Sequence, residues 1–288
     1  MAKIAVTPDR VATSPQAHAL VRGNGWSVSE VICTLGPQDR PFEERHSNVS
    51  IAIVAAGTFQ YRSHAGCELM TPGSLKLGSM GQNFECGHEH GTGDRCISFS
   101  YSPEFFDRIE ADPTFHALRI PRLRTLSPLI ARASAALAGA ADTSWEELGI
   151  ELAARAAQLD RGISREPSGA RPGAIARVTR VVRTIECDPD GHYDLSELAR
   201  EARLSPYHFL RTFQSVTGVT PHQYLLRLRL QRAAVRLRTE ATKIVDVALE
   251  SGFGDVSNFN RTFRAEFGVS PRAWRKLGHR SERLTTLT

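Results

Sequence analysis

The C-terminal third of the chain contains one motif twice, about fifty residues apart. Phe209-x-Arg211-Thr212-Phe213 recurs as Phe259-x-Arg261-Thr262-Phe263. Gly218-Val219-Thr220-Pro221 becomes Gly268-Val269-Ser270-Pro271, with an aromatic three positions further on in each copy, Tyr224 and Trp274. Upstream, Leu198-Ala199 matches Val247-Ala248 and Leu204 matches Phe253, at an offset one residue shorter. The inserted residue falls between Leu204 and Phe209, where a turn absorbs it. Self-similarity of this length marks two copies of one supersecondary unit, and the fold has to accommodate both.

Each copy is punctuated as two short helices around a tight break. In the first, Asp194 is a helix N-cap followed by Leu195, Leu198 and Ala199 at helical spacing. Ser205 caps a second helix, Pro206 suits its first position, and Gly218 stops it after Thr217. Its apolar residues Phe209, Phe213 and Val216 form one stripe. The second copy runs through Ile244, Val247 and Ala248, breaks at Gly252-Phe253-Gly254-Asp255, and continues from Val256 to Phe267 before Gly268, with Asp255 as N-cap. This is the helix-turn-helix pattern. Between the copies, Pro221 to Arg238 reads as one amphipathic helix. Eighteen residues give it about 27 Å, enough to hold two recognition helices near one DNA turn apart, about 34 Å, on one face of a duplex. The helix carries Arg227, Arg229, Arg232, Arg236 and Arg238. Alone they would read as a solvated basic face; between two helix-turn-helix units, phosphate contact is expected of some, Arg227 and Arg229 among them.

Residues 174–278 resemble the DNA-binding domain of the AraC/XylS family of bacterial transcription regulators. The resemblance is carried by Ile244 to Pro271, including Ala248-x-x-x-Gly252-Phe253 and Phe259-x-Arg261-x-Phe263. It implies Tyr207, Leu210 and Arg211 as base-facing positions of the first recognition helix, and Val256, Ser257 and Arg261 of the second. Leu210 and Val256 cannot hydrogen-bond base edges, though they can touch thymine methyls. Direct readout then rests on Arg211 and Arg261, with guanine the natural bidentate partner. The other reading of both arginines is an intramolecular ion pair, and it weighs most for Arg261.

Charge follows the same division. The chain has 36 Lys+Arg against 31 Asp+Glu, a net +5. From Arg171 onward there are 20 basic and 12 acidic residues, a net +8, which leaves 16 and 19, a net −3, in the first 170. The basic excess lies with the repeat, as a phosphate-facing segment requires. No apolar run approaches the roughly 18 residues of a membrane span, and the N-terminus lacks a signal-peptide core. A cytoplasmic protein without a membrane partner is expected. Five widely spread cysteines, an odd number, argue against a disulfide framework.

The N-terminal half reads as short strands: Trp26 to Leu35, Ser50 to Ala55, Gly57 to Ser63, Cys67 to Met70, Ser74 to Leu77 and Cys96 to Tyr101. This spacing suggests a barrel or jelly roll. Gly66, five residues, then Pro72-Gly73 is similar to a fragment of a cupin motif. Together with the C-terminal resemblance it implies a small-molecule-binding barrel in front of the DNA-binding domain. Barrel-facing ligand contacts would come from Trp26, Phe59, Tyr61 and Phe84, each of which also reads as simple core. A metal-dependent cupin enzyme needs a histidine set of which only His46 is present near the motif, so the chain is not read as an enzyme.

One cluster departs from barrel filling. Cys86 to Cys96 holds two cysteines and two histidines in eleven positions. If extended to His90, the segment places Cys86, His88 and His90 on one strand face, and a turn at Gly91 and Gly93 would return Cys96 to them. Two thiolates and two imidazoles make a tetrahedral zinc set, although the spacing is not that of a standard finger. Local packing of these side chains, or thiol redox at Cys86 and Cys96, are the other readings.

Ser127 to Ala140 and Ser144 to Ile163 form a helical hairpin, the second helix opening on a Ser144/Glu147 capping box. One apolar stripe is needed against the barrel; a second would suit a dimer contact or packing within the monomer. Residues 164–173 have the composition of a flexible linker. The expected architecture is α+β: a cupin-like β-barrel with a helical hairpin over 1–163, the linker, an all-α domain of two helix-turn-helix units joined by a linker helix, and a tail over 279–288. The expected partners are double-stranded DNA, a small-molecule effector, a second copy of the chain and RNA polymerase; no cofactor is expected apart from zinc at the cysteine–histidine cluster. The protein is expected to act on transcription, as an activator or as a repressor.

Overall fold

The computed structural model describes residues 15–39, 43–109, 111–140, 144–163 and 172–279. Most of the expected linker, residues 164–171, and the tail from 280 lie outside the described residues.

Among the described residues the N-terminal region has ten strands: β1 (Gln16–Gly23), β2 (Trp26–Cys33), β3 (Glu43–Arg45), β4 (Val49–Ala56), β5 (Phe59–Ser63), β6 (Gly66–Met70), β7 (Leu75–Gly78), β8 (Asn83–Gly87), β9 (Asp94–Tyr101) and β10 (Arg119–Ile120). They form two open sheets, of order β1-β2-β9-β4-β7-β10 and β3-β8-β5-β6. A closed barrel is therefore not formed among the described residues, which corrects the barrel expectation.

The larger sheet is covered on both faces, and strand alternation sorts its residues between them. Val28, Ile51, Ile53, Leu75, Ile97, Phe99 and Tyr101 pack with helices α1 (Pro103–Arg108), α2 (Ser127–Leu137) and α3 (Trp145–Asp160). Ala52, Val54 and Cys96 point the other way, to meet Phe59, Tyr61, Met70 and Phe84 of the smaller sheet. Burial on both faces explains why β4 reads as an unbroken apolar run. The expected capping box of α3 is half present, with Ser144 accepting from the Glu147 N–H.

The C-terminal region is all helical: α4 (Pro172–Cys187), α5 (Leu195–Glu201), α6 (Pro206–Thr217), α7 (Pro221–Thr239), α8 (Ile244–Glu250), α9 (Val256–Phe267) and α10 (Pro271–His279). Each copy of the repeat has its own core. Phe209, Phe213, Val216 and Tyr224 gather with Val181 and Ile185 of α4; Phe259, Phe263, Phe267 and Trp274 gather with Leu230, Ala234 and Leu237 of α7. The sequence-read boundaries of α6 and α9 match, and the caps show why. Ser205 and Asp255 accept from the N–H groups of His208 and Asn258. Gly218 and Gly268 then end the helices in the left-handed region, at φ 79° and 78°. In the turn between the two helices of each unit the chain again needs positive φ. Gly252 supplies it at 77° in the second copy, while Arg203 adopts 55° in the first.

Candidate nucleic-acid interface and inter-sheet cavity

A cavity of about 300 Å³ lies between the two sheets, at the lower end of the range for small-molecule sites. Phe59 and Phe84, two of the four residues read as candidate ligand contacts, line it. Tyr61 sits fully buried behind them with its hydroxyl 2.8 Å from His46 Nε2. Trp26 lies on the opposite face of β2, against the helices, and its place among the cavity contacts is corrected accordingly. Polar groups the sequence reading missed complete the wall. The Lys76 ammonium stands 4.8 Å from the Phe84 ring centroid and 5.2 Å from that of Tyr61. Burial, with Lys76 adding to it, pushes His46 down to about 3, so it is a neutral hydrogen-bonding group.

The Cys86/His88/His90/Cys96 set does not converge. β8 ends at Gly87, so the alternation assumed up to His90 stops three residues early. His90 uses both ring nitrogens on hydroxyls, Thr58 Oγ1 at 2.7 Å and Thr92 Oγ1 at 2.6 Å. His88 turns instead to Asp94, Nε2 to Oδ2 2.7 Å, and to Cys33. Burial opposes charge on His88, but the hydrogen bonds to Asp94 and Cys33 outweigh it and raise its pKa to about 9. Burial pushes the Cys86 thiol up to about 12 and Cys96 further above its ordinary value. Both stay protonated, without the thiolate a redox sensor needs.

The recognition helices present the opposite character. Tyr207 and Arg211 of α6 are exposed, and Leu210 is half-buried beside them. Arg211 donates to the Tyr207 hydroxyl at 3.2 Å and lies over its ring. On α9, Ser257 and Arg261 are exposed and Val256 is half-buried; Arg261 donates to Asn258 Oδ1 at 3.1 Å. Neither arginine is locked to a carboxylate by these contacts, so each keeps donors for a base edge. The sequence reading missed two neighbours one turn on: Gln214 of α6 and Asn260 of α9 are exposed at three-residue spacing from Arg211 and Ser257. Asn and Gln are the natural bidentate partners of adenine.

The phosphate role expected of Arg227 and Arg229 is corrected. Arg229 donates to three carbonyls, Pro189 at 2.7 Å, Gly191 at 2.8 Å and Gly252 at 3.1 Å. Arg227 donates to the Arg122 carbonyl at 2.7 Å and pairs with Glu266 at 3.4 Å. Arg236 pairs with Glu240 and Glu250. Arg227, Arg229 and Arg236 are half-buried, and these contacts use their donors within the protein.

Residues 198–277 match the helix-turn-helix domain family. The chain is similar to the HTH-type transcriptional regulator MtrA of Neisseria gonorrhoeae, at 28% identity over 123 residues, 42% of this chain and 41% of that one. It is also similar to the HTH-type transcriptional regulator Rv1931c of Mycobacterium tuberculosis, at 35% over 86 residues, 30% and 33% of the two chains. A solved transcriptional regulator from Chromobacterium violaceum, described as containing an AraC-type DNA-binding domain, is 27% identical over 38% of this chain and 98% of its own, with a TM-score of 0.35. The C-terminal region therefore carries a helix-turn-helix domain. The chain spans 41% and 33% of the length of the two curated relatives.

The helix-turn-helix domain is docked on the N-terminal region by both of its units, the first on β6 and the second on α2. Leu69, which β6 turns outward, joins the core of the first unit, and Arg119 bridges Glu68 Oε2 and the Thr217 carbonyl, each at 2.9 Å. Ala131 of α2 joins the core of the second unit, and Ser127 donates to Glu266. Arg122 donates to the carbonyls of Pro72 at 3.0 Å and Arg227 at 2.6 Å. Thus α2 packs within the monomer against both the larger sheet and the second unit. Glu186 of α4 is half-buried at this junction, accepting from Tyr224 Oη at 3.1 Å and from the Gly57 backbone. Burial raises its pKa to about 7.

Proposed function

We propose that the protein is a sequence-specific transcription regulator, which reads double-stranded DNA with α6 and α9 and answers to a small molecule held between its two sheets. One observation carries the DNA reading. Two capped helices bury their phenylalanine stripes and turn Arg211, Gln214, Asn260 and Arg261 to solvent. The effector reading is supported by the 300 Å³ cavity, its aromatic wall and the Lys76 ammonium. Cupin-like sensing, a homodimer, activation through RNA polymerase and cytoplasmic location belong to the same proposal, and no catalytic role is assigned. No helix among the described residues is long and apolar enough to cross a membrane.

Footprinting of the full-length protein across the DNA upstream of its own gene tests the reading. Protection spanning two successive major-groove faces is expected. Absence of protection on any duplex at low ionic strength overturns it, because phosphate attraction is then strongest.

A further inference from the structure

Cys33 is the last residue of β2 and Asp94 the first of β9, and the two are paired across the sheet. His88 follows the end of β8 and reaches the same point, so that one donor atom from each of the three residues lies within 4.8 Å of the others. All three are withdrawn from solvent, with the His88 and Asp94 side chains 2% and 6% exposed and Cys33 4%. The turn before Asp94 is pressed against the end of β2. At Gly93, with φ +71°, an added Cβ would stand 2.4 Å from the Cys33 carbonyl. This close approach fixes the donors from two sides. The cluster faces the inter-sheet cavity, and Cys33 and Asp94 also line a cleft closed by Arg183, Glu186 and Cys187 at the end of α4.

We propose that Cys33, His88 and Asp94 form a binding site for a divalent cation of the zinc class, with a fourth position open to the inter-sheet cavity. A thiolate, an imidazole and a carboxylate suit a borderline-soft ion and not magnesium or calcium. Bonds of about 2.0–2.3 Å at tetrahedral angles separate ligand atoms by roughly 3.3–3.8 Å. The donors, all within 4.8 Å of one another with His88 and Asp94 at 2.7 Å, reach that spacing by shifts of no more than about 1.5 Å. On binding, the ion takes the place of the proton between His88 Nε2 and Asp94 Oδ2. That proton and the Cys33 thiol proton pass to solvent, and the thiolate and carboxylate balance the two positive charges. The site differs from the Cys86/His88/His90/Cys96 set in every member but His88. Cys96 lies just outside it, with Sγ 3.8 Å from Asp94 Oδ1. The position beside Glu186 places the bound ion where the sheets meet α4, the first helix of the C-terminal region.

Titration of the reduced, full-length protein with cobalt(II) tests the assignment. One equivalent is expected to give the near-ultraviolet thiolate-to-cobalt charge-transfer band and the visible bands of a tetrahedral ion, both removed by zinc. Cys33→Ser should abolish the charge-transfer band. Asp94→Asn should weaken cobalt binding by at least the roughly tenfold lost when an outer partner is removed. Cys86→Ser and Cys67→Ser should retain the band, and far-ultraviolet circular dichroism checks that each variant is folded. If Cys33→Ser does not fold, retention in Cys86→Ser together with weakening in Asp94→Asn carries the same decision. Absence of the band in the unaltered protein, its survival in Cys33→Ser, or its loss in Cys86→Ser overturns the site. The metal measurement uses no DNA, so its failure leaves the DNA-reading proposal untouched.

Discussion

Replacing Arg229 by alanine separates a structural role from a DNA-contacting one more sharply than any other single change in α7. Its guanidinium joins three carbonyls from two places: Pro189 and Gly191, which precede the first helix-turn-helix unit, and Gly252, in the turn of the second. A hydrogen bond of this kind contributes about 0.5–1.5 kcal/mol net, which bounds the loss at roughly 1.5–4.5 kcal/mol. Arg229 is only half-buried, so water can reach some of the freed carbonyls, and a loss of about 2–3 kcal/mol is expected. For a chain of this size that corresponds to a fall in Tm of roughly 5–10 °C. Arg229→Lys should recover little of it, since one ammonium lacks the planar fork that spans three acceptors. Calorimetry of the free protein measures the first effect. Salt titration of DNA affinity measures the second, and the slope should stay unchanged because Arg229 neutralises no phosphate. An unchanged Tm with a slope lowered by about one would show that the guanidinium leaves these carbonyls for the DNA backbone.

Three further outcomes follow from the same contacts. Arg211→Ala should weaken binding to the specific site by about 1–3 kcal/mol while sparing random DNA; competition gel shifts would show equal losses on both if Arg211 serves only phosphate. Gly252→Ala should destabilise the protein by about 1–3 kcal/mol, since φ is +77° and the new Cβ would stand 2.9 Å from the Arg229 guanidinium carbon. A melting temperature within error of wild type would contradict that. Glu186, raised from 4.5 to about 7, contributes stability that is fully present below pH 4.5 and lost as pH rises through 7. Glu186→Gln, which still accepts from Tyr224, should therefore gain up to about 3 kcal/mol over wild type at pH 8 and nothing at pH 4. His46, lowered to about 3, works in the opposite sense, its contribution being lost as pH falls from 6.5. The difference between variant and wild type isolates Glu186, and a difference independent of pH would refute its raised pKa.

The helical half was legible because its instructions are local. Ser205, Asp255, Gly218 and Gly268 each act on the backbone within three or four residues, so caps read from the chain place α6 and α9 correctly. The sheets were legible only where burial leaves a pattern. β4 stands out as an apolar run, whereas β1 is an exposed edge strand with no alternation to read, and β8, Asn-Phe-Glu-Cys-Gly, carries a single bulky apolar residue. The side of a sheet on which a residue falls was beyond the sequence as well. Trp26 and Val31 belong to one strand, yet the first meets the helices and the second the smaller sheet. The cysteine–histidine cluster failed for a related reason. Closeness along the chain favoured Cys86, His90 and Cys96, while pairing of β2 with β9 brings in Cys33 from more than fifty residues away.

The arginines of α7 show how function and architecture compete for the same side chains. On the sequence they form a basic run between two DNA-reading units, and the helix is long enough to bridge them. In the structure α2 and the cores of both units cover much of that helix, and Gln231, Arg232, Val235 and Arg236 line a cleft along the remainder. Arg227 and Arg229 therefore serve as ties, the first to Arg122 and Glu266 and the second across the two units. The positive charge they carry still raises the potential of the domain at long range, which speeds encounter with DNA. Close phosphate contact then falls to residues on the same side as Arg211 and Arg261. Arg264, exposed on α9 one turn beyond Arg261, occupies such a position. Substituting it with alanine should lower the salt slope by about one where Arg229→Ala does not, with little change in melting temperature. An unaltered slope for Arg264→Ala would place the phosphate contacts elsewhere on the recognition face.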